Sequence, residues 1–151
     1  MLVKLYELPA LEPFLEKPRA AGFQIRKPIG PEKHVVLDWI GTHFRRAWVS
    51  EAEMAFMNRP VSIFVATKER KMYGFACYDA TVLGFFGPTG VEESARGQGL
   101  GSALLVASLY DMRAKGYAYA VIGGVGPVDF YRKVVGAVEI PGSTPGIYGG
   151  Y

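Results

Sequence analysis

Residues 91–102, VEESARGQGLGS, decide the fold, because an extended segment ends there, a glycine-rich loop follows and the clearest helix of the chain begins. The first backbone N–H groups of a helix have no partner within it, and the helix dipole adds partial positive charge at the same end. Glycines at 97, 99 and 101 let a ligand approach this backbone, and Arg96 adds a charge-assisted contact. The pattern predicts a phosphate site rather than a plain helix N-terminus.

Two common nucleotide loops do not fit this spacing. A Walker loop needs lysine and then serine or threonine after its last glycine, and no lysine follows these glycines. A Rossmann site needs G-x-G-x-x-G near the first strand, whereas this loop reads G-x-G-x-G and lies late in the chain. The phosphate-bearing ligand therefore belongs to another class.

Strands and helices alternate on both sides of the loop. Before it, residues 61–67 and 72–80 predict a β-hairpin and residues 82–86 predict a third strand, while Pro88 and Gly90 favour a bulge. After it, the pattern predicts a helix over 99–115, a buried strand over 117–122, a helix over 127–136 and a short strand over 137–140. The order predicts a mixed α/β sheet, with an antiparallel meander followed by a β-α-β crossover.

The first 60 residues predict two strands, the first of them only weakly alternating, and two helices. The strands are expected at 2–8 and 23–29, separated by prolines that disfavour a long helix. The first helix follows Pro31, and the second is predicted to start at a capping box formed by Ser50 and Glu53.

Two segments together resemble the GNAT superfamily of N-acetyltransferases. V-x-x-x-x-RGQGLG, residues 91–101, resembles its acetyl-CoA pyrophosphate loop, and FYRKVVGA, residues 130–137, resembles the aromatic-tyrosine pair of its fourth helix. The resemblance implies a GNAT-like acyl-CoA acyltransferase fold. It implies a single domain over 23–151, with residues 1–22 as an N-terminal extension packed on it.

The resemblance also implies a mechanism, in which acetyl-CoA is the co-substrate and a primary amine attacks it directly. The bulged strand would hold the pantetheine arm, and one of its N–H groups would polarise the thioester carbonyl. Tyr131 would protonate the leaving thiolate. The implied cofactor-binding residues are Thr89, Gly90, Val91, Arg96, Gly97, Gln98, Gly99, Leu100, Gly101 and Ser102.

The positions from which some relatives take a general base are not acidic here. They hold Phe85 and Tyr119. At pH 7, neutralising a lysine-like amine costs about 4.6 kcal/mol, whereas an α-amino group near pKa 7.7 costs about 1 kcal/mol. The sequence therefore favours an acceptor amine of low pKa, in an aminosugar or a chain terminus, which loses its proton through water.

Other polar and aromatic residues near these motifs have simpler explanations. Glu92 and Glu93 are expected just before the helix, toward solvent. His43 lies on an apolar helical stripe, where a position at the edge of the core explains it better than catalysis. Because the first two helices of the family border the acceptor site, the weak candidates for lining it are Trp39, His43, Phe44 and Trp48.

Composition excludes several other classes of function. The net charge is +3 and no dense basic run occurs, which argues against nucleic acid. One cysteine and two histidines do not make a metal site, and no segment has the apolar length of a membrane span. The expected protein is cytoplasmic and acts on a small-molecule or peptide amine. The alternative is a non-catalytic acyl-CoA-binding or sensor module, and a homodimer stays open.

Overall fold

A six-stranded mixed sheet forms the centre of the computed structural model, which describes residues 1–150. The strands are β1 Leu2–Lys4, β2 Gln24–Arg26, β3 Ile63–Lys68, β4 Lys71–Tyr78, β5 Phe85–Val91 and β6 Tyr119–Ile122. Their order across the sheet is β1-β6-β5-β4-β3-β2. The β5–β6 pair is parallel, and the other neighbours are antiparallel.

Helices cover both faces of this sheet. They are α1 Glu12–Ala20, α2 Lys33–His43, α3 Arg46–Met57, α4 Leu100–Ala114 and α5 Val128–Val135. One buried cluster joins α2 and α3 to one face, and a second joins α4 and α5 to the other. Among residues 1–150, no helix has the length and apolar character needed to cross a membrane.

The predicted meander and crossover are confirmed. β3 and β4 form a hairpin, β4 pairs with β5, and the chain then passes through α4 to β6, which lies parallel to β5. The third strand is shifted toward the glycine loop: it spans Phe85 to Val91, whereas the sequence predicted it over 82–86. α4 packs many apolar residues against the sheet, which fixes the direction of its N-terminus.

The edge of the sheet beside β6 is covered by β1. Leu2, Val3 and Lys4 pair with the strand, and the Ile122 N–H donates to the Met1 carbonyl at 2.8 Å. Val3 and Leu5 are fully buried. The residues predicted as an extension thus supply a strand to the sheet, while the domain boundary at 23 stays a prediction.

Three local expectations need correction. The prolines at 13 and 18 do not prevent α1, because Pro13 lies in the first turn, where no helical acceptor is available, and Pro18 removes a single helical hydrogen bond from this short helix. The capping box at Ser50 and Glu53 is wrong, since α3 begins at Arg46 and contains both residues. The strand expected over 137–140 is reduced to a single bridge between Val138 and Leu2.

We expect Leu5→Ala to lower the free energy of unfolding by about 2–5 kcal/mol, because it empties a fully buried position beneath the β1 edge. Urea unfolding measures the loss. Leu83→Ala is the matched control, because that leucine is 75% exposed and its truncation leaves no cavity. Equal stability of the two variants would contradict the burial of this segment.

Candidate functional site

The parallel strands β5 and β6 stay together for only two residue pairs. Phe85 lies opposite Val121 and Phe86 opposite Ile122, after which β6 ends while β5 continues to Val91. Beyond these pairs, no strand within residues 1–150 neighbours β5 on its β6 side, and we call this gap in the sheet the wedge. One wall of the wedge is the second half of β5.

A bulge interrupts the pairing of β5 with β4 beside this wedge. Tyr78 of β4 pairs with Phe86, but Ala76 pairs with Thr89, so two residues of β5 oppose one of β4. The Glu92 N–H donates to the Tyr73 carbonyl at 2.8 Å. Because these bonds occur at every second residue of an antiparallel pair, the N–H groups of Thr89 and Val91 point away from β4.

The glycine loop brings the N-terminus of α4 to the same place. Gly97 and Gly99 have φ of 83° and 80°, the left-handed region that favours glycine, and α4 begins at the next residue. The first helical bond runs from the Ala103 N–H to the Gly99 carbonyl at 3.1 Å. The N–H groups of the three residues between them have no helical acceptor. Arg96 is exposed beside them.

The two motif segments meet at this point. A Cβ built on Gly101 lies 3.9 Å from the Phe130 ring and 4.0 Å from Val91. Tyr131 is 7% exposed, and its ring centroid lies 6.3 Å from that of Phe86. Burial raises the pKa of Tyr131 to about 12, so the phenol keeps its proton at neutral pH.

A cleft of about 560 Å³ extends from the loop toward the end of α2. Its lining residues are His43, Phe44, Val91, Glu92, Glu93, Ser94 and Arg96. The cleft joins predicted cofactor-binding residues to two predicted acceptor-lining residues. Glu92 and Glu93 precede α4 as expected, and they also face this cleft.

Phe44 rests directly on β5. A Cβ built on Gly90 would lie 2.4–2.8 Å from three of its ring carbons. Trp39 and Trp48, the other two predicted acceptor-lining residues, lie behind Phe44 and contact Phe75. They brace the Phe44 ring and do not line the cleft.

Two residues beside the site were missed by sequence reasoning. Side-chain carbons of Lys17 lie 3.1–3.7 Å from a Cβ built on Gly99. The Tyr148 hydroxyl lies 2.7 Å from a Cβ built on Gly123, where β6 has just ended. No local pattern marks either residue, because each contact joins segments far apart in the chain.

Comparisons with known proteins place the fold. No family model matches the chain, and no curated protein matches its sequence. The GCN5-related glucosamine N-acetyltransferase region of a fungal multi-domain β-N-acetylglucosaminidase superposes with a TM-score of 0.73 at 13% identity, over 89% of this chain and 19% of that chain. A GCN5-related N-acetyltransferase from Sphaerobacter thermophilus gives 0.69 at 19% identity, over 88% and 45%.

A third solved structure contains the co-substrate. The GNAT family acetyltransferase from Brucella melitensis in complex with acetyl-CoA gives a TM-score of 0.54 at 22% identity, over 74% of this chain and 80% of that chain. The chain thus has the GNAT fold, as the sequence resemblance implied. It spans less than half the length of the first two structures. At these identities, the likeness establishes the fold.

We expect Gly90→Ala to lower the free energy of unfolding by about 1–3 kcal/mol, because its Cβ forces the Phe44 ring off β5. Urea unfolding measures the loss. Gly41→Ala is the control: its Cβ meets only Val49, at 3.5 Å, and alanine favours the helix. If Gly90→Ala were as stable as Gly41→Ala, Phe44 would not be seated on Gly90.

Proposed function

We propose that the protein is an acetyl-CoA-dependent N-acetyltransferase that transfers the acetyl group directly to a primary amine. The observation that carries this proposal is the wedge between β5 and β6, with the N-terminus of α4 beside it and the buried Tyr131 packed against Phe86 of β5. The shared fold of a neighbouring GNAT acetyltransferase solved with acetyl-CoA supports the same assignment. A cytoplasmic location stays a prediction.

The loop before α4 supplies the anion-binding half of the site. The N–H groups of Leu100, Gly101 and Ser102 lack helical acceptors, and the helix dipole adds positive charge where they point. Arg96 adds a full charge at the rim of the cleft. This combination suits the pyrophosphate of coenzyme A.

The bulged strand supplies the thioester half. The N–H groups of Thr89 and Val91 point into the wedge, so either can donate to the thioester carbonyl. A fixed N–H donor stabilises the negative charge that develops on that oxygen when the amine attacks.

Tyr131 is the proposed general acid. Its raised pKa, caused by burial, keeps the phenol protonated until the thiolate departs. A thiolate that leaves in the same apolar surroundings is itself more basic than in water, which eases proton transfer. The amine nitrogen of the tetrahedral intermediate then returns a proton to the tyrosine.

An aminosugar is the proposed first acceptor class. The neighbouring fungal region is described as a glucosamine N-acetyltransferase, and an amine of low pKa is the kind that the sequence favours. The direct test is a screen for release of free coenzyme A with aminosugars, amino acids, peptide N-termini and polyamines. Preferred turnover of a polyamine would contradict the low-pKa acceptor. Acetyl-CoA binding without release with any amine would favour the non-catalytic module.

We expect Arg96→Ala to weaken acetyl-CoA binding about 10- to 100-fold, because it removes a charge-assisted contact to the pyrophosphate. Isothermal titration calorimetry measures the dissociation constant. Arg113→Ala removes the same charge from the opposite end of α4 and should bind normally. If Arg96→Ala and Arg113→Ala bound acetyl-CoA with equal affinity, the pyrophosphate would not contact Arg96.

We expect Tyr131→Phe to lower kcat about 100- to 10,000-fold while acetyl-CoA affinity is retained, because the substitution removes only the proton donor. Steady-state kinetics and calorimetry separate the two quantities. Unchanged kcat would remove Tyr131 from the chemistry, and a parallel loss of affinity would assign it to cofactor binding.

A further inference from the structure

We infer that His43 is the general base that deprotonates the acceptor amine, an assignment that rests on the proposed function. His43 is the last residue of α2, is exposed, and lines the same cleft as Val91 and Arg96. The next residue, Phe44, is seated on Gly90 of β5. The imidazole therefore stands at the acceptor side of the strand that would carry the thioester.

One hydrogen bond fixes which nitrogen of the ring can act as a base. The Nδ1 atom lies 2.9 Å from the Trp39 carbonyl oxygen. A carbonyl oxygen only accepts, so Nδ1 carries the proton in this bond. In the neutral ring, Nε2 is then the unprotonated nitrogen, with a lone pair ready to take a proton.

The ring is also held in place. It stacks on Trp39 with centroids 4.4 Å apart and planes 26° apart, and Trp39 in turn packs against Phe44 and Phe75. Stacking and the Nδ1 bond together restrict rotation of the imidazole. A fixed orientation is what proton transfer to a bound amine requires.

The other titratable groups of the cleft are less suited to this role. Glu92 accepts a hydrogen bond from the Ser94 hydroxyl at 3.1 Å, and Glu93 lies in the turn that leads to Arg96. Arg96, the remaining titratable residue that lines the cleft, carries a guanidinium that cannot accept a proton, and neither can Arg45 and Arg46, which follow Phe44 in the chain. In general, an imidazole is about two pKa units more basic than a carboxylate, so it takes a proton from an ammonium group more readily.

The proton inventory of the reaction balances with this assignment. The acceptor enters as R–NH3⁺, and Nε2 of His43 takes one proton to leave R–NH2. The amine nitrogen attacks the thioester carbon, a C–N bond forms, and the C–S bond breaks. Tyr131 gives its proton to the sulfur and regains one from the nitrogen. The products are the amide, free coenzyme A and one proton, which His43 releases to solvent.

The test compares His43→Gln with the natural protein on two amines: the acceptor found in the screen, and a fluorinated analogue of it whose amine has a lower pKa. We expect kcat/KM for the first amine to fall about 100-fold or more, and the loss for the analogue to be much smaller, because that amine needs less help to lose its proton. Acetyl-CoA affinity should not change. His34→Gln alters the other, exposed histidine of α2 and should leave activity intact.

Chemical rescue distinguishes a general base from a residue that only packs against its neighbours. Imidazole added to His43→Ala should restore acetylated product, detected by mass spectrometry, because the small molecule can fill the vacated position. Equal losses with the two amines and no rescue would overturn the assignment. An amine-dependent loss in Glu92→Gln or Glu93→Gln, with none in His43→Gln, would overturn it in favour of a carboxylate. If the natural protein binds acetyl-CoA but acetylates no amine, the proposed function fails and the assignment fails with it.

Discussion

The early end of β6 is the constraint on which the site depends. Backbone N–H and C=O groups inside a sheet normally bond to the neighbouring strand. Here β5 continues to Val91 after β6 has stopped at Ile122, so the second half of β5 has a strand neighbour on one side. A longer β6 would have formed hydrogen bonds with the backbone groups of β5 that now face the wedge. The same separation leaves room for the N-terminus of α4 and for the Phe130–Tyr131 pair.

The two halves of the proposed site differ in whether backbone or side-chain groups form them. The proposed cofactor half relies mainly on backbone N–H groups of β5 and α4, which substitution of side chains does not remove, with Arg96 as an added charge. The proposed acceptor half relies on side chains at the end of α2, above all His43 and Phe44, which line the cleft. This division explains why the glycine loop says little about the amine.

The predictable parts of the structure are those encoded by local pattern. The hairpin, the glycine loop, α4 and the helix that carries Tyr131 each show their signal within one segment. The seat of Phe44 on Gly90, the edge position of β1 and the contact of Lys17 with Gly99 join distant segments, and no local pattern specifies such partners. Ser50 shows the opposite failure. Its capping pattern is present, but no helix begins there. The helix α3 begins earlier, at Arg46, because Trp48 and Val49 also pack against the core.

A histidine base changes the route of the proton without removing the constraint on the acceptor. For an imidazole in general, with pKa about 6.5, taking a proton from an amine near 7.7 costs about 1.6 kcal/mol, and from a lysine-like amine about 5.3 kcal/mol. An acceptor of low pKa therefore remains the favoured substrate whether water or His43 takes the proton. In the proposed mechanism the gain from His43 is position, because its ring is already held by Trp39 at the wall of the cleft, whereas a water molecule must be ordered there at an entropic cost. A low-pKa amine and a fixed imidazole are thus complementary parts of the same acceptor site.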